Sequence, residues 1–199
     1  MKRSKIFLCF IFCLCSLFSF SQTNLVPNPS FEIYSSCPTQ PGEIQKAIGW
    51  DSYANTPDYF NLCSSFGYSI PSNFFGYQSP ASGNAYAGFL NYMSNAYAPG
   101  YREYIGAILS STLIINTKYY VSFKVSLSIN SLIPSNGSSD KMGAMFSTIP
   151  YNTNNPTPIT NNPLIYYNSI ITDSLNWTRV LGTFISDSAY QYIIIGNFF

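Results

Sequence analysis

Histidine is absent from the 199-residue sequence, and charged residues make up only 9% of it. Without histidine the chain cannot build a Ser–His–Asp triad, a Cys–His pair or a histidine-ligated zinc site. A typical soluble domain has roughly a quarter charged residues, whereas here Tyr, Phe, Ser, Asn and Thr take their place. A surface of neutral hydroxyls and amides is more typical of an extracellular protein than of a cytosolic one.

Phosphate-binding loops and charge runs are missing as well. The glycine-containing stretches at 76–88 and 182–189 lack the Walker and dinucleotide spacings. Beyond residue 21 the chain has six Lys and Arg against eight Asp and Glu, a formal net charge of −2. This balance leaves no basic patch for nucleic acid and no charge run for a membrane surface.

The N-terminus has the pattern of a secretory signal peptide. Basic residues precede an apolar run over 6–20, and the small residues Ser19 and Ser21 stand at the −3 and −1 positions of a cleavage site. The run is too short and wrongly flanked for a membrane span. We therefore expect residues 1–21 to be a signal peptide, followed by an exported single domain over 22–199 that has no transmembrane span.

Cys37 and Cys63 are the two cysteines outside this leader. In an exported protein an isolated pair usually forms a disulfide. A reactive thiol pair would be accompanied by a histidine or a CxxC motif, and neither is present. The sequence therefore predicts a Cys37–Cys63 disulfide.

Strand patterns dominate the second half of the chain. Residues 119–129 alternate apolar and polar side chains, as a strand with one buried face does. Weaker strand patterns occur at 104–115, 142–148, 164–171, 177–185 and 190–198. Residues 24–100 are irregular, and we expect them to lie as disulfide-pinned loops over a sandwich. Short strands between turn clusters predict an all-β fold, an antiparallel β-sandwich.

Aromatic side chains are abundant, at 18% of the sequence, and suggest a sugar-binding surface. Tyrosine and tryptophan combine a flat apolar face with a polar tip, which suits the two sides of a sugar ring. Trp50 and Phe60 fit a core instead. The candidate ligand-binding residues are Tyr53, Tyr59, Tyr77, Tyr86, Tyr97, Tyr101 and Arg102. The alternative is that these tyrosines only fill a loop layer that is poor in aliphatic residues.

Acidic residues offer a weaker, catalytic hypothesis. Asp51 and Asp58 would suit a pair of glycosidase carboxylates, but both positions also suit turns and backbone hydrogen bonds, and we expect no enzyme activity. Arg102 and Glu103 alternate along a strand and therefore cannot pair with each other. Arg102 either reaches Asp51 or Asp58 or contacts a ligand.

A series of motifs resembles the N-terminal domain of Bacteroidota-type secreted surface proteins, which often continue into OmpA-like, gliding-motility-associated or type IX sorting domains. The motifs are "NLVPNPSFE" at 24–32, "CP" at 37–38, "GW" at 49–50, "TPDYFNLC" at 56–63, "FFGYQSPASGNAYAGF" at 74–89, "YREYI" at 101–105 and "YIIIGNF" at 192–198. The resemblance implies a jelly roll of the galactose-binding, carbohydrate-binding-module type. Similar proteins continue beyond the "IGNF" strand to another strand, so we expect the natural protein to be longer and this sandwich to lack its last strand.

The same resemblance implies further sites. Jelly rolls of this type often hold a structural calcium, for which Glu32 stands at the expected position; the alternative is that Glu32 is solvated or hydrogen-bonded at a strand end. Ser174 and Ser188 lie in Asp-Ser-apolar triplets that resemble bacterial O-glycosylation sites. No other cofactor is expected.

Together these observations predict a non-catalytic binding module outside the cell or on its surface, whose partner is a glycan or another cell-surface polymer. The first alternative is a structural or adhesive spacer without a small ligand. The second is a glycoside-active enzyme.

Overall fold

The computed structural model describes residues 22–65, 67–95, 98–129, 138–151 and 161–198. The predicted signal peptide and Tyr97 lie outside these ranges. Within them the chain is nearly all-β, with antiparallel strands and a short 3₁₀ helix at Ile44–Lys46, which confirms the all-β prediction. None of the helical structure in the described ranges is long and apolar enough to cross a membrane.

The described strands form one large sheet and several strand pairs. In chain order they are β1 (Trp50–Ala54), β2 (Asp58–Asn61), β3 (Ser72–Asn73), β4 (Gly76–Tyr77), β5 (Ala85–Gly88), β6 (Met93–Asn95), β7 (Ala98–Tyr101), β8 (Tyr104–Ile108), β9 (Lys118–Val125), β10 (Met142–Ser147), β11 (Ile165–Tyr166), β12 (Thr178–Ile185) and β13 (Tyr192–Asn197). The large sheet has the order β1-β8-β13-β10-β11. The strand pairs are β9 with β12, β2 with β5, β3 with β4 and β6 with β7.

β9 is the strand that the alternating sequence pattern predicts at 119–129. Its side chains alternate between exposed and half-buried along the whole strand. The strand nevertheless ends at Val125, because its partner β12 begins at Thr178, directly opposite. Beyond this point the backbone N–H of Leu127 bonds the carbonyl of Asp173 outside any strand.

The first half of the chain is more regular than its sequence suggests. β1 is not part of a loop: it is an edge strand of the large sheet, paired with β8 from Trp50 to Ala54. β2 pairs with β5 over four residues. Neither β1 nor β2 alternates, since every residue but Asp51 is buried, and a strand buried on both sides gives no period-two signal.

One face of the large sheet packs toward the β9–β12 pair, so the described chain has two stacked β-layers, as in a β-sandwich. The buried residues that the sheet contributes are Trp50, Ile105, Ala107, Ala144, Phe146, Ile193 and Ile195, and Tyr119, Val121, Phe123 and Phe184 pack against them from β9 and β12. Trp50 is therefore a core residue, as predicted. Phe60 is also buried, in a smaller cluster with Tyr68 and Ile70. Jelly-roll connectivity stays a prediction.

The opposite face of the large sheet is covered by aromatic rings that lie over glycines. The Tyr53 ring occupies the space in which a Cβ at Gly106 would stand, and the Tyr104 ring does the same at Gly196. Both tyrosines belong to a buried cluster with Met145, Ile194 and Phe198. The glycines thus allow large rings to lie flat against the strands β8 and β13.

The predicted disulfide is present. Cys37 and Cys63 are bonded, with Cα atoms 5.6 Å apart. The bond connects the segment before the 3₁₀ helix to the end of β2. Beside it, the Ser64 hydroxyl donates a hydrogen bond to the Pro38 carbonyl at 2.6 Å, so the two segments are held together twice.

Candidate binding groove

The two β-layers do not close fully on each other. A groove of about 1160 Å³ lies between the inner face of the large sheet and the β9–β12 pair. The inward side chains of β9 are only half-buried, whereas inward residues of a closed sandwich interdigitate at the density of a protein interior. The described structure therefore contains an accessible cleft with mainly apolar walls.

One end of this groove carries two aromatic rings. Tyr86 of β5 and Trp177, the residue before β12, meet edge to face with ring centroids 5.8 Å apart. Hydrogen bonds hold both rings: Trp177 Nε1 donates to the Ser79 carbonyl at 2.8 Å, and Asn73 Nδ2 donates to the Tyr86 hydroxyl at 2.7 Å. Both rings line the groove and remain half-exposed. We call Tyr86 and Trp177 the aromatic end.

Polar groups accompany the aromatic end. Burial raises the pKa of Tyr86 to about 12, so its hydroxyl stays neutral at physiological pH. Exposed Ser82 also lines the groove. Close by, the Ser126 hydroxyl donates to Gln78 Oε1 at 3.3 Å. This combination of ring faces with neutral donors and acceptors is chemically suited to a polyhydroxylated ligand.

The tyrosines that the sequence predicts as ligand-binding do not all meet in this groove. Tyr53 and Tyr59 are buried, with 3% and 0% exposure. Tyr59 donates from its hydroxyl to the Phe31 carbonyl at 2.8 Å, and burial raises its pKa to about 12. Desolvation also raises the pKa of Tyr53. Both rings serve the core rather than a surface.

The remaining predicted residues are spread over several places. Tyr77 is 68% exposed on β4, and the hydroxyl of half-buried Tyr101 donates to Glu103 Oε1 at 2.8 Å. The Arg102 guanidinium carbon lies 5.1 Å from the centroid of the Tyr92 ring. Of the predicted set in the described chain, only Tyr86 lines the groove. Trp177 was not among the residues predicted from the sequence, because a single tryptophan before a strand gives no local indication of a binding site.

Three buried carboxyl groups, those of Glu43, Asp58 and Glu103, lie away from the groove. Asp58 is 7% exposed and accepts the backbone N–H of Gly42 at 2.8 Å; Glu103 is 3% exposed. Glu103 accepts hydrogen bonds from the hydroxyls of Tyr101 and Thr56 and from the backbone N–H of Leu90. These three donors give the Glu103 carboxylate the partners that a buried charge requires.

Asp51 and Asp58, which are near each other in sequence, have different surroundings. Asp51 is exposed on β1 and accepts the backbone N–H of Ser52 at 2.8 Å. Burial, and secondarily the charge of Glu103, raises the pKa of Asp58 to about 6, against the Gly42 hydrogen bond, which lowers it. Both acids thus accept backbone N–H groups, as the structural alternative predicts.

The raised pKa of Asp58 predicts a pH-dependent stability. Because the folded state holds the Asp58 proton more tightly than the unfolded chain does, this contribution is complete below pH 4 and is lost as the pH rises through about 6. Between pH 4 and pH 7, we expect the wild type to lose about 2 kcal/mol of unfolding free energy relative to Asp58→Asn. Urea unfolding at several pH values measures this difference. The control Asp51→Asn should follow the wild type; identical pH profiles for the wild type and Asp58→Asn would contradict the prediction.

The Glu32 side chain contacts the turn at Gly83 and Asn84. Its Oε1 accepts the backbone N–H of Asn84 at 2.7 Å, and its carboxyl group packs on Gly83, whose φ is 63°. Glu32 is thus hydrogen-bonded, as its alternative interpretation has it, but it does not stand at the end of a strand. In the described ranges no group of three or more His, Cys, Asp and Glu side chains is arranged to hold a metal ion. Calcium at Glu32 stays a prediction.

The predicted glycosylation sites lie in turns. Ser174 and Ser188 are half-exposed. Asp173 Oδ1, next to Ser174, accepts the backbone N–H groups of Leu175 and Asn176, and Asp187 Oδ1 accepts the Tyr190 hydroxyl at 2.6 Å. These hydrogen bonds lower the pKa of both aspartates. Glycosylation at the two serines stays a prediction.

No family model, no curated protein and no solved structure matches the chain. The resemblance to secreted surface proteins therefore stays a prediction that rests on the sequence motifs.

Proposed function

We propose that the protein is an exported, non-catalytic binding module that binds a glycan at the aromatic end of its groove. The observation that carries this proposal is the pair of half-exposed rings, Tyr86 and Trp177, which are held by hydrogen bonds and line a large cleft. Rings that are fixed before binding lose little conformational entropy when a ligand stacks on them. The neutral serines and amides nearby supply partners for sugar hydroxyls.

The proposal of a non-catalytic role rests on the carboxyl groups. Asp58 and Glu103 are buried, take up backbone and hydroxyl donors, and do not line the groove. Export is supported by the Cys37–Cys63 disulfide, because such bonds persist in oxidising compartments. The net charge of −2 beyond residue 21 disfavours nucleic acid as a partner.

A structural or adhesive spacer is the second candidate. It is favoured by the burial of Tyr53 and Tyr59, which removes two of the predicted ligand-binding rings from any surface. A spacer and a glycan-binding module differ in one measurable property, namely binding at the aromatic end.

A glycan array on the exported protein, purified from the periplasm of a bacterial host, tests the proposal. We expect binding to at least one class of glycan, and we expect Trp177→Ala to weaken it about tenfold, the equivalent of about 1.4 kcal/mol of stacking energy. Leu175→Ala is the matched control, since Leu175 is 83% exposed two residues away and should bind as the wild type does.

Circular dichroism and thermal unfolding of both variants establish that they are folded. A wild-type protein that binds no glycan on the array would exclude the glycan proposal and favour the spacer. Equal binding by the wild type and Trp177→Ala would move the site away from the aromatic end.

A further inference from the structure

β9 has a free edge. Its eight residues pair with β12 along one side, from Lys118 opposite Ile185 to Val125 opposite Thr178. Among the described strands none pairs with its other side. In an antiparallel strand roughly half of the backbone N–H and C=O groups point away from a given partner. β9 therefore presents a row of backbone donors and acceptors to whatever lies beside it, which is a template for another strand.

The groove runs along this free edge. Inward-facing residues of β9, such as Val121 and Phe123, and outward-facing ones, such as Lys118 and Lys124, all line it. The cavity therefore extends around the edge of β9 and is not confined beneath it. In a sandwich, one residue of a strand occupies roughly 160 Å³, which is the product of the strand spacing, the sheet spacing and the rise per residue. A cavity of about 1160 Å³ thus has room for roughly seven residues, close to the length of β9.

The two faces of the edge differ in chemistry. The inward face of β9 is apolar, with Tyr119, Val121 and Phe123 packed against the core. The outward face is cationic: Lys118 and Lys124 are exposed, and Lys124 lies directly opposite Arg179 of β12. β9 and β12 contain no acidic residue. Like charges directly opposite each other destabilise a sheet, so an added strand with acidic residues on this face would relieve that repulsion.

A second copy of the chain is a poor occupant for the same reason. Two β9 edges that pair antiparallel over nearly their full length, with directly opposite side chains on the same face, place Lys118 of each copy opposite Lys124 of the other. Both ends of such an interface would carry a like-charge pair. The charge pattern therefore disfavours a second copy and favours an added strand that carries acidic residues.

We propose that the free edge of β9 binds an extended segment of a partner protein by strand addition. The segment has about seven or eight residues, with apolar side chains at the alternate positions that face the groove and Asp or Glu at the positions that face Lys118 and Lys124. Backbone hydrogen bonds supply the affinity and the alternating side chains supply the specificity. This inference does not depend on glycan binding, because it uses the backbone of β9 and not the aromatic end.

Three capped, fluorescently labelled octapeptides test the proposal on the exported protein. The first alternates Val and Glu, the second alternates Val and Lys, and the third has the composition of the first with its four Val in one block. We expect fluorescence anisotropy to show at least tenfold tighter binding of the first peptide than of the other two. Hydrogen exchange should show new protection of backbone amides within 118–125 when the first peptide is bound.

The double variant Lys118→Glu/Lys124→Glu is the decisive control. Both side chains are exposed, so the variant should retain the fold. Because the charge of this face is reversed, the variant should bind the Val–Lys peptide more tightly than the Val–Glu peptide. Equal binding of all three peptides, no binding of any, or binding without protection of 118–125 would overturn the proposal. A concentration-dependent dimer that protects 118–125 without peptide would assign the edge to a second copy and would also overturn it. The peptide assays contain no glycan and the glycan array contains no peptide, so failure of the glycan proposal is measured separately.

Discussion

The double variant Cys37→Ser/Cys63→Ser is expected to lose about 3.5 kcal/mol of unfolding free energy. The disulfide closes a loop between residues separated by 26 positions, and removing such a crosslink increases the conformational entropy of the unfolded chain by this order on the chain-entropy model. In a domain of this size, about 3.5 kcal/mol corresponds to a decrease of roughly 10 °C in the midpoint of thermal unfolding. Urea unfolding and calorimetry measure the two quantities.

Reduction provides the matched control. The wild type in a reducing buffer should unfold like the double variant, and the double variant should be unaffected by the same buffer. The Ser64–Pro38 hydrogen bond at 2.6 Å should keep the two segments together in the folded variant, so secondary structure by circular dichroism should be unchanged. A loss below about 1 kcal/mol would contradict the expectation that the crosslink acts mainly on the unfolded chain.

The second large effect is expected at Gly106. A methyl group there would overlap atoms Cδ2 and Cε2 of Tyr53, a ring with only 3% exposure in the buried cluster on the outer face of the large sheet. Since neither the strand β8 nor the ring can move without disturbing this packing, Gly106→Ala should cost about 3 kcal/mol of unfolding free energy. Thermal and urea unfolding give the value.

A double-mutant cycle identifies the cause of this loss. In the background of Tyr53→Ala, which is itself destabilising because it removes a buried ring, Gly106→Ala should cost much less than in the wild type. Equal costs in the two backgrounds would mean that the backbone of β8, and not the ring, requires glycine. The pair of Tyr104 and Gly196 has the same arrangement on the neighbouring strands, so Gly196→Ala should behave alike.

Local patterns in the sequence predicted much of the second half of the fold. The alternation at 119–129 corresponds to β9, and the apolar runs at 142–148, 177–185 and 190–198 correspond to β10, β12 and β13 within a few residues. The run at 164–171 forms a strand only at Ile165–Tyr166, because pairing with β10 is limited to Gly143 and Ala144. Side-chain periodicity thus predicted which segments form strands. The length of each strand was determined by the strand with which it pairs.

The candidate site was less predictable than the strands. Six described residues were proposed as ligand-binding, and their exposures differ widely: the Tyr59 ring is fully buried, Tyr77 is largely exposed, and Tyr86 lines the groove with Trp177. The side-chain chemistry of a tyrosine is the same in all these places. What differs is the neighbour across the sheet or groove, which is distant in sequence and leaves no local signal.

The amino-acid sequence by itself determined the all-β class, the pairing of the two cysteines beyond residue 21 and the core role of Trp50 and Phe60. Composition, periodicity and the number of residues of one type are properties of the chain itself. They can be known without any long-range contact. Only the tertiary structure decided that β1 joins the large sheet and that Tyr86 meets Trp177. It also decided that β9 keeps one edge free beside an open groove. These features depend on which distant segments pack together, and packing energy is shared among many contacts that no short stretch of sequence contains.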